Sequence, residues 1–246
     1  GPASPASCYL LQASCEDGST YSMLLELGPG GFGALMREMD PRDLDAVVLS
    51  HLHADHITDM ISMHVFRRWH PDGPCGPIPV LAPPGALARV RGVGGDGPEE
   101  CYEGEFRFTD HVIETPHPFG PFTIESFPAW HTVDAYCLRI TGPSANGGTA
   151  VVAFSGDTDA CEGLIDAARD ADLFLCEAAF VDGRDDVRGV HLTGSRAGQC
   201  AADAGAAQLV LTHIQPWTAP DGVVAAARSR YSGPVVAATS GARWEV

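Results

Sequence analysis

The sequence predicts an α/β fold in which sheets are covered by helices. Strand-like apolar runs alternate with helix-like segments through the second half of the chain, and this alternation is typical of such a fold. The segments are residues 151–158, 163–171, 172–178, 194–206, 208–213, 221–231 and 234–240. A length of 246 residues and an apolar fraction of 45% fit one globular domain. No apolar run approaches the roughly 18 residues that a membrane span requires.

The first half contains the same kinds of element in a different order. Residues 8–13 and 21–28 are β-like runs on either side of the turn-rich segment "SCEDGS", which predicts a hairpin or adjacent strands. Residues 28–35 end the second run in glycines and open a short helix. Residues 44–51 form a compact apolar run that is typical of a buried strand, and apolar residues then recur at helical spacing from Ile57 to Arg68.

Residues 71–104 are rich in proline and glycine and contain the run "GVGGDG". They predict one strand at "IPVLAP" together with irregular loops, and no domain boundary, because regular patterning resumes after them. Two interpretations stay open. In the first, the region is a lid or an oligomer contact, which allows for a homodimer. In the second, it is a surface excursion without a function.

The formal net charge of −17 and the absence of lysine disfavour a long nucleic acid as partner, since such binding depends on neutralising phosphates with basic side chains. An acidic, solvated surface accounts for most of this charge. The eight cysteines are scattered without a CxxC motif, which favours reduced thiols and a cytoplasmic protein. The opening "GPASPAS" is typical of the middle of a loop, so the sequence does not decide whether a targeting segment precedes it.

The segment "HLHADH" at residues 51–56 concentrates potential metal ligands directly after an apolar run. In an extended segment, residues two apart point the same way, so His51 and His53 can bind one cation. Asp55 and His56 follow where the chain turns into the predicted helix and can face a second cation. The cluster therefore predicts a site for two metal ions.

Three further candidate ligands follow other apolar runs. His131 follows "FTIESFPAW", Asp157 follows "VVAFSG" and His213 closes "LVLT". Each stands at the carboxyl end of a predicted strand, where side chains from neighbouring strands meet at one edge of a sheet. Their shared placement predicts that they complete the site.

The motifs "HLHADH", "SGDT" and "LTH", in this order with His131 between the first two, resemble the metallo-β-lactamase fold of metal-dependent hydrolases, in the branch of ribonuclease Z. The resemblance covers nearly the whole chain and implies a four-layer αβ/βα sandwich. It implies a single domain over residues 1–246 that lacks the first N-terminal strand of the family in this numbering.

The resemblance also implies the ligands of the two divalent metal ions. One metal would be bound by His51, His53 and His131, and the other by Asp55, His56 and His213, with Asp157 between them. Imidazole-rich ligation suits zinc, while manganese or iron fits the carboxylate-containing half.

The resemblance to the phosphodiesterase branch also suggests catalytic residues. Two divalent cations about 3.5–4 Å apart can generate a hydroxide and clamp the oxygens of an in-line displacement at phosphorus. His191, in "GVHLTG", is the candidate general acid for the leaving alkoxide, and Glu177 either orients it or is a buried structural carboxylate. Asp55 has two interpretations, as a metal ligand and as a proton acceptor for the bridging water. Thr193 is expected to cap the following helix, and Gly28, Gly30 and Gly31 to form a tight turn.

The substrate predicted from this resemblance is a small phosphodiester such as a 3′,5′-cyclic nucleotide, opened to the 5′-monophosphate by the metal-bridged hydroxide. Ribonuclease Z proteins have a long tRNA-binding arm between the residues matching His131 and Asp157, but only 25 residues lie between them here. The chain instead resembles arm-less actinobacterial proteins of the cyclic-nucleotide phosphodiesterase type. Trp130 and Trp217 either stack on a base or pack against the sheet.

The leading alternative is a carboxyl-ester, thioester or lactone hydrolase, in which the same metals polarise a carbonyl group. A tRNA 3′-processing endonuclease, a β-lactamase and a non-catalytic metal or nucleotide sensor are weaker alternatives. No membrane partner is expected.

Overall fold

A computed structural model describes residues 4–246 of the chain. The first three residues of the loop-like segment "GPASPAS" lie outside the described residues. The chain divides into two units, one ending at His111 and one spanning Val112–Val246, and each is built around its own sheet.

In the described part of the first unit, the sheet has five strands in the order β1-β2-β3-β4-β5. These are β1 (Tyr9–Ser14), β2 (Thr20–Leu25), β3 (Ala46–Val48), β4 (Ile78–Ala82) and β5 (Phe106–Asp110). The helices are α1 (Gly31–Glu38), α2 (Ala54–Ile57), α3 (Met60–Trp69) and α4 (Ala86–Gly94), with a short 3-10 helix at Pro41–Asp43. β1 and β2 are antiparallel, which confirms the predicted hairpin, and the later pairs are parallel.

The helix predicted from Ile57 to Arg68 begins earlier and is interrupted. α2 ends at Ile57, and the amide of Asp59 donates to Leu27 O (3.0 Å), just past β2, instead of continuing a helix. Asp55 and His56 therefore lie within the first of two helices, and not before the start of the predicted one.

The prediction of only one strand and loops over residues 71–104 is wrong, because α4 lies in this region. Ala86 and Val90 of this helix are buried, and Gly95, whose φ of 76° is left-handed, caps its C-terminus. The glycines of "GVGGDG" hid this helix, because glycine has a low intrinsic helix propensity and two of them occupy its last turn.

In the second unit, over the residues that the structure describes, seven strands follow the order β12-β11-β10-β9-β8-β7-β6. These are β6 (His117–Phe119), β7 (Phe122–Pro128), β8 (Tyr136–Pro143), β9 (Thr149–Phe154), β10 (Leu173–Glu177), β11 (Leu209–Thr212) and β12 (Val235–Ala237). The helices are α5 (Glu162–Ala168), α6 (Gly194–Ala204) and α7 (Pro220–Arg228). The strands from β9 to β12 are parallel, whereas β6 to β9 are antiparallel.

The order of the parallel strands brings three candidate site residues to one edge of this sheet. β10 lies between β9 and β11; Glu177 is the last residue of β10, and Asp157 and His213 follow the carboxyl ends of β9 and β11. The alternation predicted for residues 151–240 is confirmed element by element, with boundaries that differ by a few residues. Among residues 4–246, no helix has the length and apolar character needed to cross a membrane.

Candidate metal centre

The segment "HLHADH" follows the end of β3 and enters α2. His51 and His56 are buried, and their ring centroids lie 4.1 Å apart. The ring of His53 lies 4.9 Å from that of His51. The side chain of Asp55 is 54% exposed, and its Oδ2 lies 3.6 Å from His56 Nε2. The first unit thus brings together the four candidate ligands that its sequence predicts.

Glu26 is a member of this cluster that sequence reasoning missed. Its carboxylate is fully buried, Oε1 accepts a hydrogen bond from the Ser50 amide (2.6 Å), and Oε2 lies 3.3 Å from His56 Nδ1. A carboxylate in this place orients a metal-binding imidazole and increases its basicity. One feature of the sequence could have identified Glu26: it is an ionisable residue just after β2, and β2 is the parallel neighbour of β3, which leads to His51.

Two of the three glycines predicted to form a tight turn, Gly28 and Gly30, fix the turn that faces this cluster. The third, Gly31, begins α1. Gly30 has a left-handed φ of 83°. Gly28 is needed for a different reason, because a Cβ there would lie 1.8 Å from the Asp55 carbonyl oxygen. The neighbouring Leu27 amide donates to His56 O (2.8 Å), so the turn and α2 are in direct backbone contact.

The substitution Gly28→Ala is expected to destabilise the protein by about 1–3 kcal/mol, since the added methyl group must displace the backbone that carries Asp55 and His56. Urea unfolding of metal-free protein measures this effect. Gly33→Ala is the matched control, because Gly33 is an exposed position of α1 with open space around it, and alanine is expected to stabilise it by roughly 0.5–1 kcal/mol. Equal stability of the two variants would contradict the close approach at Gly28.

The second unit contains the remaining candidate ligands. Asp157 is buried, and its Oδ2 lies 3.5 Å from His213 Nε2. His213 follows β11 directly and has a left-handed φ of 55°. His131 Nδ1 lies 2.7 Å from Val190 O and donates to this carbonyl in the tautomer that leaves Nε2 for a metal.

His191 and Glu177 form a hydrogen-bonded pair beside Asp157. His191 Nδ1 lies 2.8 Å from Glu177 Oε1 and 3.9 Å from Asp157 Oδ2. Glu177 is fully buried and accepts backbone hydrogen bonds from Thr158 and Ala179, both at 3.0 Å. These bonds fix the carboxylate, which in turn fixes the ring of His191 through Nδ1. The Nε2 atom of His191 is not used in this contact.

The protonation of His191 is set by two opposing effects. Burial of the imidazole lowers its pKa, but the hydrogen bond and the charge of Glu177 outweigh burial and raise the pKa above its ordinary value. Both effects of Glu177 favour the protonated form of the imidazole, which is the form that a general acid requires. Thr193, two residues further on, caps α6 by accepting from the Arg196 amide (3.4 Å), as predicted.

In each unit, imidazole nitrogens and carboxylate oxygens, the donor types that divalent transition metals select, lie close together. Glu26, His51 and His56 offer ligand atoms that all lie within 4.8 Å of one another, and the same holds for Glu177, His191 and His213. Clusters of imidazole nitrogen and carboxylate oxygen are the ligands that such metals select.

Comparison with known proteins identifies the class. Residues 28–214 match the Beta-lactamase superfamily domain, and the chain belongs to this superfamily of metallo-hydrolases. It is therefore a hydrolytic enzyme of a family that acts through divalent metal ions, and the predicted fold class is confirmed.

Individual relatives agree with this assignment. The chain is 38% identical to the uncharacterised protein ML1173 of Mycobacterium leprae, over 100% of this chain and 84% of the relative. It is 28% identical to ribonuclease Z of Myxococcus xanthus, with coverages of 89% and 86%.

A solved structure supports the same fold. The crystal structure of the metallo-β-lactamase fold protein YhfI from Bacillus subtilis superposes with a TM-score of 0.84 at 27% identity, covering 100% of this chain and 94% of that one. In the sequence comparison YhfI is named a probable metallo-hydrolase and is 28% identical over 97% of this chain and 92% of its own length.

Proposed function

We propose that this enzyme is a phosphodiesterase with two zinc ions that acts on a small phosphodiester, such as a 3′,5′-cyclic nucleotide opened to the 5′-monophosphate. The observation that carries the proposal is the His191–Glu177 pair, held 3.9 Å from Asp157. A phosphodiester with an alkoxide leaving group needs a proton donor when the leaving group departs, whereas an activated ester does not.

The proposed metal ligands are those of the superfamily pattern. The first metal is assigned His51, His53 and His131, the second Asp55, His56 and His213, with Asp157 shared. When bound, the metal ions supply a nucleophile at neutral pH and stabilise the charge on the phosphoryl oxygens. Zinc is favoured because five of the seven proposed ligands are histidines.

The chain's own residues then divide the proton transfers. In this scheme Asp55, whose side chain is 54% exposed, also accepts a proton from the attacking water. His191 Nε2 donates the proton that the departing oxygen needs, because Nδ1 is engaged by Glu177. Glu177 orients the ring and stabilises its charged form, which is the first of the two interpretations that the sequence allows.

A small substrate is favoured over tRNA. The connection between β8 and β9 is the short turn at residues 144–148, where a tRNA-binding arm would be inserted. The net charge of −17 further disfavours a long polyanion. Trp217 is 73% exposed, which leaves its ring available for stacking on a base, whereas Trp130 is 46% exposed and has the Arg188 guanidinium 5.4 Å from its ring centre.

The deciding experiment measures turnover of bis(p-nitrophenyl) phosphate, 3′,5′-cAMP and an aryl carboxyl ester by protein of known metal content. We expect hydrolysis of both phosphodiesters and its loss in His53→Ala. His70→Ala is the matched control, since His70 lies outside the cluster and interacts with Asp72. Turnover of the aryl ester alone would replace the proposal with a carboxyl-ester, thioester or lactone hydrolase.

A further inference from the structure

We propose that Asp159 is a positioning residue for this reaction, because its buried carboxylate binds the loop that leads to His191 while its backbone amide binds the residue before His131. The inference rests on the proposed function, in which His191 donates a proton. Asp159 itself is not a ligand or a proton donor in that scheme. It stands two residues after Asp157, and its side chain is fully buried.

Each oxygen of the carboxylate accepts two hydrogen bonds. Oδ1 accepts from the Ala160 amide (2.7 Å) and Arg196 Nη1 (2.6 Å). Oδ2 accepts from Arg188 Nε (2.5 Å) and the Gly189 amide (2.9 Å). All four partners are donors, so the site requires an acceptor at both positions.

These contacts are part of a closed ring of hydrogen bonds. The Asp159 amide donates to Trp130 O (2.9 Å), which fixes the residue before His131. His131 Nδ1 in turn lies 2.7 Å from Val190 O, and Val190 is flanked by Gly189 and His191. Because the Gly189 amide is bound to the Asp159 carboxylate, Asp159 connects the two loops, that of His191 through its side chain and that of His131 through its backbone.

Side-chain packing supports the same connection. Gly189 has a left-handed φ of 75°, and a Cβ there would lie 2.6 Å from Trp130 Nε1. The guanidinium of Arg188 lies 5.4 Å from the centre of the Trp130 ring. The indole is thus contacted by two consecutive residues of the loop that leads to His191, and Asp159 binds the backbone or side chain of both.

The substitution Asp159→Asn separates this role from simple space filling. The amide has the same shape, but its NH₂ group must face two donors, either Ala160 and Arg196 or Arg188 and Gly189. We therefore expect the loop before His191 to loosen without loss of the core. Asp185→Asn is the matched control, since Asp185 also binds an arginine (Arg184) and a backbone amide (Val181) but at the far end of the same loop.

The test compares substrates with poor and good leaving groups. If Asp159 positions His191, Asp159→Asn should lower kcat for 3′,5′-cAMP by about 10²-fold, with a much smaller effect on bis(p-nitrophenyl) phosphate, whose leaving group needs little protonation. The double variant with both Asp159→Asn and His191→Ala should have a kcat for 3′,5′-cAMP only slightly below that of His191→Ala alone. Equal losses on both substrates, or additive effects in the double variant, would overturn the positioning role.

A second readout does not depend on activity. Hydrogen exchange of residues 184–193 in metal-free protein should be faster in Asp159→Asn than in wild type and unchanged by Asp185→Asn near residue 189. Unchanged exchange at Gly189 would overturn the inference even if activity fell. If wild type cleaves neither diester, the proposed function is wrong and the catalytic part of the inference with it, whereas exchange still decides whether Asp159 fixes the loop.

Discussion

Replacing His191 with alanine is expected to leave both metal ions bound and to reduce hydrolysis of 3′,5′-cAMP by about 10²–10⁴-fold. The reason is that the departing ribose alkoxide is a poor leaving group unless it is protonated. His191 is the side chain whose Nδ1 is engaged by the buried Glu177, 2.8 Å away, so that its Nε2 is available as the donor.

A series of aryl phosphodiesters distinguishes this role from a general loss of structure. Removal of a proton donor should make the rate depend more steeply on the leaving group, so that p-nitrophenyl substrates lose least. Metal content measured on the same samples serves as the control, and wild-type turnover of 3′,5′-cAMP by His191→Ala would exclude the general-acid role.

Asp157→Asn is expected to have an effect at least as large, through the metals themselves. A buried carboxylate proposed to be shared by two divalent cations supplies negative charge that a neutral amide cannot replace. We expect the metal content to fall from two ions to one or fewer per chain and turnover to fall by about 10³-fold or more, which corresponds to about 4 kcal/mol.

The matched control for this variant is Asp172→Asn. Asp172 accepts a hydrogen bond from the Val151 amide (2.8 Å), near the start of β9, whereas Asp157 lies past the end of the same strand. Both changes remove one negative charge from the second unit, at opposite ends of the same strand. Retention of two tightly bound metal ions by Asp157→Asn would show that Asp157 is not shared between them.

The parts of the site that could be predicted from the sequence are those that follow strands. β9, β10 and β11 are parallel neighbours, so Asp157, Glu177 and His213 come to the same sheet edge for a topological reason. The short spacing within "HLHADH" is a local property that needs no tertiary information. Both signals depend only on strand periodicity and chain direction.

The parts that could not be predicted depend on contacts between distant segments. Glu26 lies in an otherwise apolar run, and only its approach to His56 and Ser50 gives it a role. Asp159 follows the recognisable "SGDT" motif, but its partners Arg188 and Arg196 are 29 and 37 residues away. No periodicity records such pairings, because they are decided by how the loops pack.

The left-handed backbone at Glu26 and His213 has a consequence for attempts to stabilise the enzyme. Both residues have positive φ, at 63° and 55°, in a region that glycine and asparagine occupy with less strain. Selection for expression or heat resistance alone would therefore favour replacing these two side chains, although one contacts a candidate metal ligand and the other is one. At these positions the demands of folding and of chemistry oppose each other, so a screen has to include turnover to keep them.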